Sequence, residues 1–306
     1  MKILFLGTSD FSQIVLEEIL KSKHKVLAVV CQPDRPSGRG HKFIAPKIKE
    51  FAQQKGIKVF QFDKVSEHID EVFEGVDVAV TASFGQILSR EFINKKMCLN
   101  VHPSKLPTYR GPTPLQTALL NGDKMTAVSI QKMEYEVDSG DIILCQDVEI
   151  GGNDTMSSLT EKTAKIGGEL VVKALDMIEN KSVKFTKQDA SKATFTKMIK
   201  KEDGFLDFGE SAEKLVNKIR ALGENPGCYF FVGQDRIKVQ KAKVFEEKTG
   251  NTGDILIKNK KFLVKAKDNF VEIERCQAPN GKVLDAKDFL NGYKFSRDKA
   301  NDTFGL

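Results

Sequence analysis

Of the four histidines in this 306-residue chain, His102 stands two residues after Asn100, at the end of the apolar run Cys98-Leu99-Asn100-Val101. The run reads as a buried strand, and Pro103 and Pro107 make the stretch after it a loop. Residues two apart on an extended backbone project to the same side. An amide and an imidazole are thereby paired, and one can hold a developing oxyanion while the other moves a proton. A third group lies farther on. Asp138, in Val137-Asp138-Ser139-Gly140-Asp141, follows a second strand-like run, Ala127-Val128-Ser129-Ile130. A carboxylate there can orient the imidazole and raise its basicity. Which of the three is the formal base stays open at this level. For His102 alone, the plainer alternative is a satisfied polar residue at a strand end.

Placing these groups together requires a particular scaffold. Lys2–Leu6, Ser12–Leu20 and Lys25–Cys31 read as strand, helix and strand, the start of a right-handed parallel unit. The loop Gly7-Thr8-Ser9-Asp10-Phe11 has one glycine and lacks the GxGxxG fingerprint of a dinucleotide site. The apolar run over 76–82 reads as a buried strand. It ends at Ser83-Phe84-Gly85-Gln86-Ile87-Leu88, where Gly85 permits close approach of a flat ligand. Thr113–Asn121 is helix-like, Thr126–Met133 is a strand, Ile142–Ile150 is extended, and Thr155–Asn180 reads as one long amphipathic helix. In such open α/β sheets, ligands collect at the carboxyl ends of the strands. The expected fold is α/β, with a Rossmann-like, mostly parallel sheet over 1–183. A polar, lysine-rich linker over 184–203 follows. Beyond it, five short alternating runs suggest a small OB-like β-barrel over 204–306.

With 40% hydrophobic and 29% charged residues, the composition is that of a globular protein. No apolar run approaches membrane-spanning length, and the short run at the start is no signal peptide. Five scattered cysteines without a CxxC pair indicate neither a disulfide framework nor a zinc site, so the cytoplasm is the expected compartment. Charge is unevenly spread. Residues 1–186 carry 24 basic and 24 acidic side chains, whereas residues 187–306 carry 24 and 18. A basic second domain suits an anionic macromolecule. So does the loop Gln32–Lys42, where prolines and glycines exclude a helix or central strand and Arg35, Arg39 and Lys42 can reach phosphates.

Three segments together, QPDRPSGRG from Gln32, LNVHPSKLPTYRG from Leu99 and VDSGD from Val137, resemble the methionyl-tRNA formyltransferase family. KEDGFLDF from Lys201 and NKIRALGENPGCYF from Asn217 resemble the start of that family's C-terminal domain, so the likeness covers essentially the whole chain. The resemblance implies a formyltransferase fold and 10-formyltetrahydrofolate as formyl donor, with no metal. It further implies initiator methionyl-tRNA as acceptor, for translation initiation, and a monomer. Its catalytic trio falls on Asn100, His102 and Asp138. Its folate loop falls on Ser104, Lys105, Leu106 and Pro107, and its pterin pocket on Phe84, Gly85, Ile87 and Leu88. Arg39 matches the basic residue presented to the tRNA acceptor end. Lys105 departs from the family's Ser-Leu-Leu-Pro, Pro103 stands where a small residue is usual, and Phe208 and Asn225 occupy places where tryptophan is common. The nearest alternative is a formyltransferase acting on a small amine, such as an amino sugar or glycinamide ribotide. A non-catalytic RNA-binding module is an alternative from another class.

Overall fold

A computed structural model describes residues 1–37, 42–295 and 299–301. The chain divides into two compact units: Met1–Pro114 with Met125–Glu149 and Ser157–Thr196, and Leu115–Lys124 with Ile150–Met156 and Lys197–Leu306. No helix among the described residues is long and apolar enough to cross a membrane.

The first unit opens with β1 (Lys2–Gly7), α1 (Asp10–Leu20) and β2 (Lys25–Cys31). Ser12 secures the turn between β1 and α1: its hydroxyl accepts from the backbone N–H of Thr8 and Ser9 and donates to the Ala82 carbonyl. Next come β3 (Arg35–Ser37), β4 (Lys42–Ile44), α2 (Lys47–Gln54), β5 (Lys58–Gln61), α3 (Ile69–Val72), β6 (Val78–Ala82), α4 (Arg90–Lys95) and β7 (Met97–His102). After α5 (Pro114–Asn121), which from Leu115 on belongs to the second unit, the first unit continues with β8 (Met125–Lys132), β9 (Ile142–Glu149) and α6 (Met156–Glu179). The sheet order is β5-β2-β1-β6-β7-β8-β9, parallel as far as β7 and antiparallel for β8 and β9. The chain winds outward from β1 first toward β5 and then toward β7. The carboxyl ends of β1 and β6 therefore flank the switch point, where a crevice forms in folds of this kind.

Two cores sandwich the sheet. One, with Phe5, Val29, Leu99, Val101 and Ile130, packs under α1, α2 and α6. The other, with Leu4, Val30, Cys98 and Phe92, packs on α3 and α4. Consecutive residues of β7 thus serve opposite cores, the period-2 alternation expected of a strand. Gly167 is what lets α6 lie so close to β7. A Cβ there would stand 2.6 Å from Val101 Cγ1, a separation real side chains do not tolerate.

The stretch expected as a basic loop carries two short strands, neither of them part of the main sheet. β3 and β4 pair with each other as a two-stranded antiparallel ribbon, Arg35 opposite Ile44 and Pro36 opposite Phe43. Proline is compatible with such a ribbon because its missing N–H sits on an edge. Arg39 lies outside the described residues.

In the second unit, α7 (Ala212–Leu222) packs on an antiparallel sheet. Its strands are β10 (Cys228–Val232), β11 (Asp235–Phe245), β12 (Ile255–Lys258), β13 (Lys261–Lys265) and β14 (Phe270–Gln277), in the order β10-β11-β14-β13-β12. β15 (Val283–Asp285), a strand that sequence reading missed, pairs with β14, and α8 (Ala286–Gly292) follows it.

Candidate active site

Strand register builds the site. Asn100 on β7 pairs with Thr81 on β6 and with Gln131 on β8, so three polar side chains form a row across three strands. Thr81 and Gln131 are buried. The Thr81 hydroxyl donates to Asn100 Oδ1 at 2.9 Å, which turns the amide so that Nδ2 donates to Asp138 Oδ1 at 3.1 Å. Gln131 Nε2 donates to the same oxygen at 2.9 Å. Asp138 Oδ2 accepts from the Gly111 backbone N–H at 2.8 Å and faces His102 Nδ1 at 3.5 Å. Every contact of this carboxylate is one that an ionised, acceptor-only group makes. His102 itself is 4% exposed, and its other nitrogen, Nε2, lies 3.0 Å from the Tyr109 carbonyl. Both ring nitrogens therefore face oxygen acceptors, and a neutral ring can donate to only one of them at a time.

The structure thus brings Asn100, His102 and Asp138 together over 38 residues of sequence separation. Cys98 shares their side of β7, but burial pushes its thiol up to about 12, so it is no nucleophile. Asp138 sits in the left-handed region, φ 50°, a conformation aspartate tolerates better than most residues. Nearby, Gly140 passes so close to β8 that a Cβ would stand 1.7 Å from the Lys132 carbonyl oxygen.

The other expected site residues fall into distinct environments. Ser104 is buried, and its hydroxyl donates to the Thr108 carbonyl at 2.6 Å, closing the turn. Lys105 is exposed and pairs with Asp147 at 2.8 Å, which raises its pKa. Leu106 is buried, its N–H donating to Ser129 Oγ at 3.3 Å, and Pro107 follows it through a cis bond. Phe84 and Leu88 belong to the core, whereas Ile87 is 87% exposed, and Gly85 has φ 84°. On the ribbon, Arg35 is exposed and donates to Gln32 Oε1 at 3.4 Å. Lys42 lies on β4, with Phe43 and Ile44 exposed beside it. The ribbon's base is tied by Asp34, held below the usual carboxylate range by Gln61 Nε2 and then by Lys49.

Some contributors escaped sequence reading. Thr81 and Gln131 enter through register alone. Gln188, in the stretch expected as a linker, donates to the carbonyls of Asp138 and Gly140. In the second unit, Tyr229 on β10 lies under Arg236 of β11 at 3.6 Å and near Phe231 at 5.8 Å. Lys238 pairs with Tyr229 in register and is exposed. Among the described residues, one group of potential metal ligands converges, His24, Asp176 and Glu179. Its carboxylates already hold the Lys23 ammonium at 3.0 and 2.8 Å.

Comparison with known proteins accords with this geometry. Residues 1–175 match the family described as formyl transferase, and residues 198–294 match the formyl transferase C-terminal domain. Methionyl-tRNA formyltransferase from a Sulfurihydrogenibium species is 37% identical over 314 residues, covering 99% of this chain and 100% of that protein. The protein of the same name from Buchnera aphidicola is 36% identical, covering 96% of each chain. An N-formyltransferase from Helicobacter canadensis, solved with folinic acid and dTDP-3-aminofucose, superposes with a TM-score of 0.67. It is 21% identical and covers 89% of this chain and 98% of its own.

Proposed function

The chain belongs to the methionyl-tRNA formyltransferase family, and from that premise we propose that it transfers the formyl group of 10-formyltetrahydrofolate to the α-amino group of methionine on initiator methionyl-tRNA. The observation that carries this reading is the convergence of Asn100 and His102 on the Asp138 carboxylate at the end of β7, in a chain whose relatives match end to end.

In the reaction, the amine attacks the formyl carbon and the carbonyl electrons move onto oxygen. The Asn100 amide has two N–H groups and spends one on Asp138, so the second is free to hold that oxyanion. The Asp138–His102 pair takes the proton from the attacking nitrogen and returns one to the folate nitrogen as the carbon–nitrogen bond to it breaks. Exposed Ile87 offers an apolar surface for the donor. Because Ser104, Lys105 and Leu106 spend their polar groups on Thr108, Asp147 and Ser129, the donor contacts of the 104–107 loop fall to its remaining backbone groups.

The acceptor needs cations. From the basic stretch 32–42 of the sequence, Arg35, Arg39 and Lys42 take the acceptor stem. In the second unit, the aromatic and basic face of β10 and β11, with Tyr229, Arg236 and Lys238, suits RNA by stacking and charge. Family membership supports a cytoplasmic monomer.

The test is formyl transfer from 10-formyltetrahydrofolate to charged initiator tRNA, with free methionine and an amino sugar as parallel acceptors. Formylation of the charged tRNA alone is expected. Transfer only to a small amine would keep the trio and overturn the acceptor. No transfer to any acceptor would overturn the donor assignment.

A further inference from the structure

Between α6 and the second unit runs a polar stretch whose composition suggests only a connection. Its course is not that of a free linker. Thr186 bridges Ile142, its N–H donating to the Ile142 carbonyl at 2.9 Å and its own carbonyl accepting from the Ile142 N–H at 2.8 Å. Farther on, the Arg110 N–H donates to the Thr194 carbonyl at 2.9 Å, and the Thr196 N–H donates to the Arg110 carbonyl at 2.8 Å. Between these anchors, two residues after Thr186, sits Gln188.

The Gln188 side chain is fully committed. Its Nε2 donates to the Asp138 carbonyl at 2.8 Å and to the Gly140 carbonyl at 2.7 Å, which uses both N–H groups. Its Oε1 accepts two bonds from Arg110, from Nε at 3.1 Å and Nη2 at 2.8 Å. The direction of this amide is dictated by its neighbours. A guanidinium only donates and a backbone carbonyl only accepts, so the oxygen must face Arg110 and the nitrogen must face the loop. Arg110 is 6% exposed, and the described residues give it no carboxylate partner. Taking a cation out of water is costly unless it is hydrogen-bonded, so Arg110 holds the Gln188 amide in this one orientation.

We propose that Gln188 is a positioning residue for the reaction, and that Arg110 sets its orientation. Together they hold the Asp138 loop in the left-handed turn that aims the carboxylate at Asn100 and His102. Without the Gln188 N–H pair, two inward carbonyls lose their donors, and Asp138 at φ 50° loses a restraint from its backbone side. The carboxylate would still meet Gly111 and Gln131, but with looser aim. A misplacement on the order of 1 Å lowers a rate about 10²-fold. This inference rests on the reading of Asp138 as a member of the reacting trio.

Gln188→Glu separates positioning from plain support. The glutamate keeps its length and gives Arg110 a better partner, so a merely structural strap is kept or strengthened. It replaces the donating nitrogen with an oxygen facing the two carbonyls, so the aim of Asp138 is lost. The expected result is a kcat lowered about 10²-fold, KM for both substrates changed less than about threefold, and a melting temperature within a few degrees of the parent. A kcat equal to the parent's would overturn the inference, as would a loss confined to KM. Should the glutamate unfold the protein, Arg110→Gln decides in the same assay. It leaves Gln188 free to flip, and a roughly tenfold fall in kcat at constant KM supports the proposal, whereas an unchanged kcat overturns it. Parent protein and Asp138→Asn run alongside. If the parent is active and Asp138→Asn is as active as the parent, the trio itself is wrong. If Asp138→Asn is crippled and the Gln188 variant is not, only this inference falls.

Discussion

The Asp138 loop and the β3–β4 ribbon both leave the sheet of the first unit, and both carry residues expected to act on substrates, yet they are built in opposite ways. Asp138 is gripped at its carboxylate by Asn100, Gln131 and the Gly111 N–H, and at its backbone by Gln188. Its near neighbour Gly140 touches β8 so closely that no side chain fits. The ribbon pairs only with itself within its sheet, is tied at its base through Asp34, and turns Arg35, Phe43 and Ile44 outward. Proton transfer between groups needs placement to fractions of an ångström. Holding a polyanion needs reach and charge, and exposed cations supply these without a fixed geometry. Substitutions should therefore act on turnover in the first region and on salt-sensitive binding in the second.

The largest effect is expected at Asp138→Asn. The shape is kept, but an NH₂ group replaces one of two oxygens that both face donors, so at least one donor meets another donor. Loss of an acid–base partner typically costs about 10²–10⁴ in rate. Single-turnover formylation at saturating substrates should show a fall of that size. A fall below tenfold would mean that this carboxylate only shapes the loop. Asn100→Ala comes next. It removes the proposed oxyanion donor, and kcat should drop about 10²–10³-fold while both substrates still bind. If KM rises and kcat holds, Asn100 binds substrate and does not stabilise charge.

Gly140→Ala is a test of stability. The added methyl would lie 1.7 Å from the Lys132 carbonyl oxygen, so the loop or β8 must move. Overpacking of this kind costs about 3 kcal/mol, or about 6–12 °C in melting temperature for a unit of this size. Ile44→Ser on the ribbon, at a position 56% exposed, should stay within about 0.5 kcal/mol of the parent. Equal losses at the two positions, read by thermal unfolding, would erase the contrast between the regions.

The same contrast explains what could be read from sequence. The pairing of Asn100 with His102 was legible because strand geometry has a strict period of two. An acidic loop after a strand-like run pointed to Asp138. Thr81 and Gln131 were not legible, because a residue's neighbour across a sheet depends on register, which no local pattern states. Gln188 was hidden more deeply. It acts on backbone carbonyls, which every residue possesses, and its own surroundings, Lys184 to Lys192, show no period. The antiparallel sense of β8 and β9 came only with the structure, because the direction in which a strand pairs leaves no local pattern in its residues. Ser104 and Lys105 could be located by resemblance, but not their commitments to Thr108 and Asp147.

The smallest effect expected is also the one that isolates the ribbon's role. Arg35 is exposed, and its single described hydrogen bond, to Gln32, is long at 3.4 Å. Arg35→Ala should therefore leave folding and the chemical step untouched. Each phosphate contact made by a cation releases condensed counterions, so affinity falls with salt in proportion to the number of contacts, with a slope near 0.9 per contact on duplex and about 0.7 on single strands. Removing one contact should lower the slope of log KM for charged tRNA against log salt by about one contact's worth. KM at low salt should rise severalfold, and the parent and variant curves should draw together as salt increases, because screening removes what the mutation removed. KM for the folate donor should not move at any salt. A slope identical to the parent's would take Arg35 out of the tRNA interface, and a change in kcat at saturating tRNA would show that the ribbon shares in positioning after all.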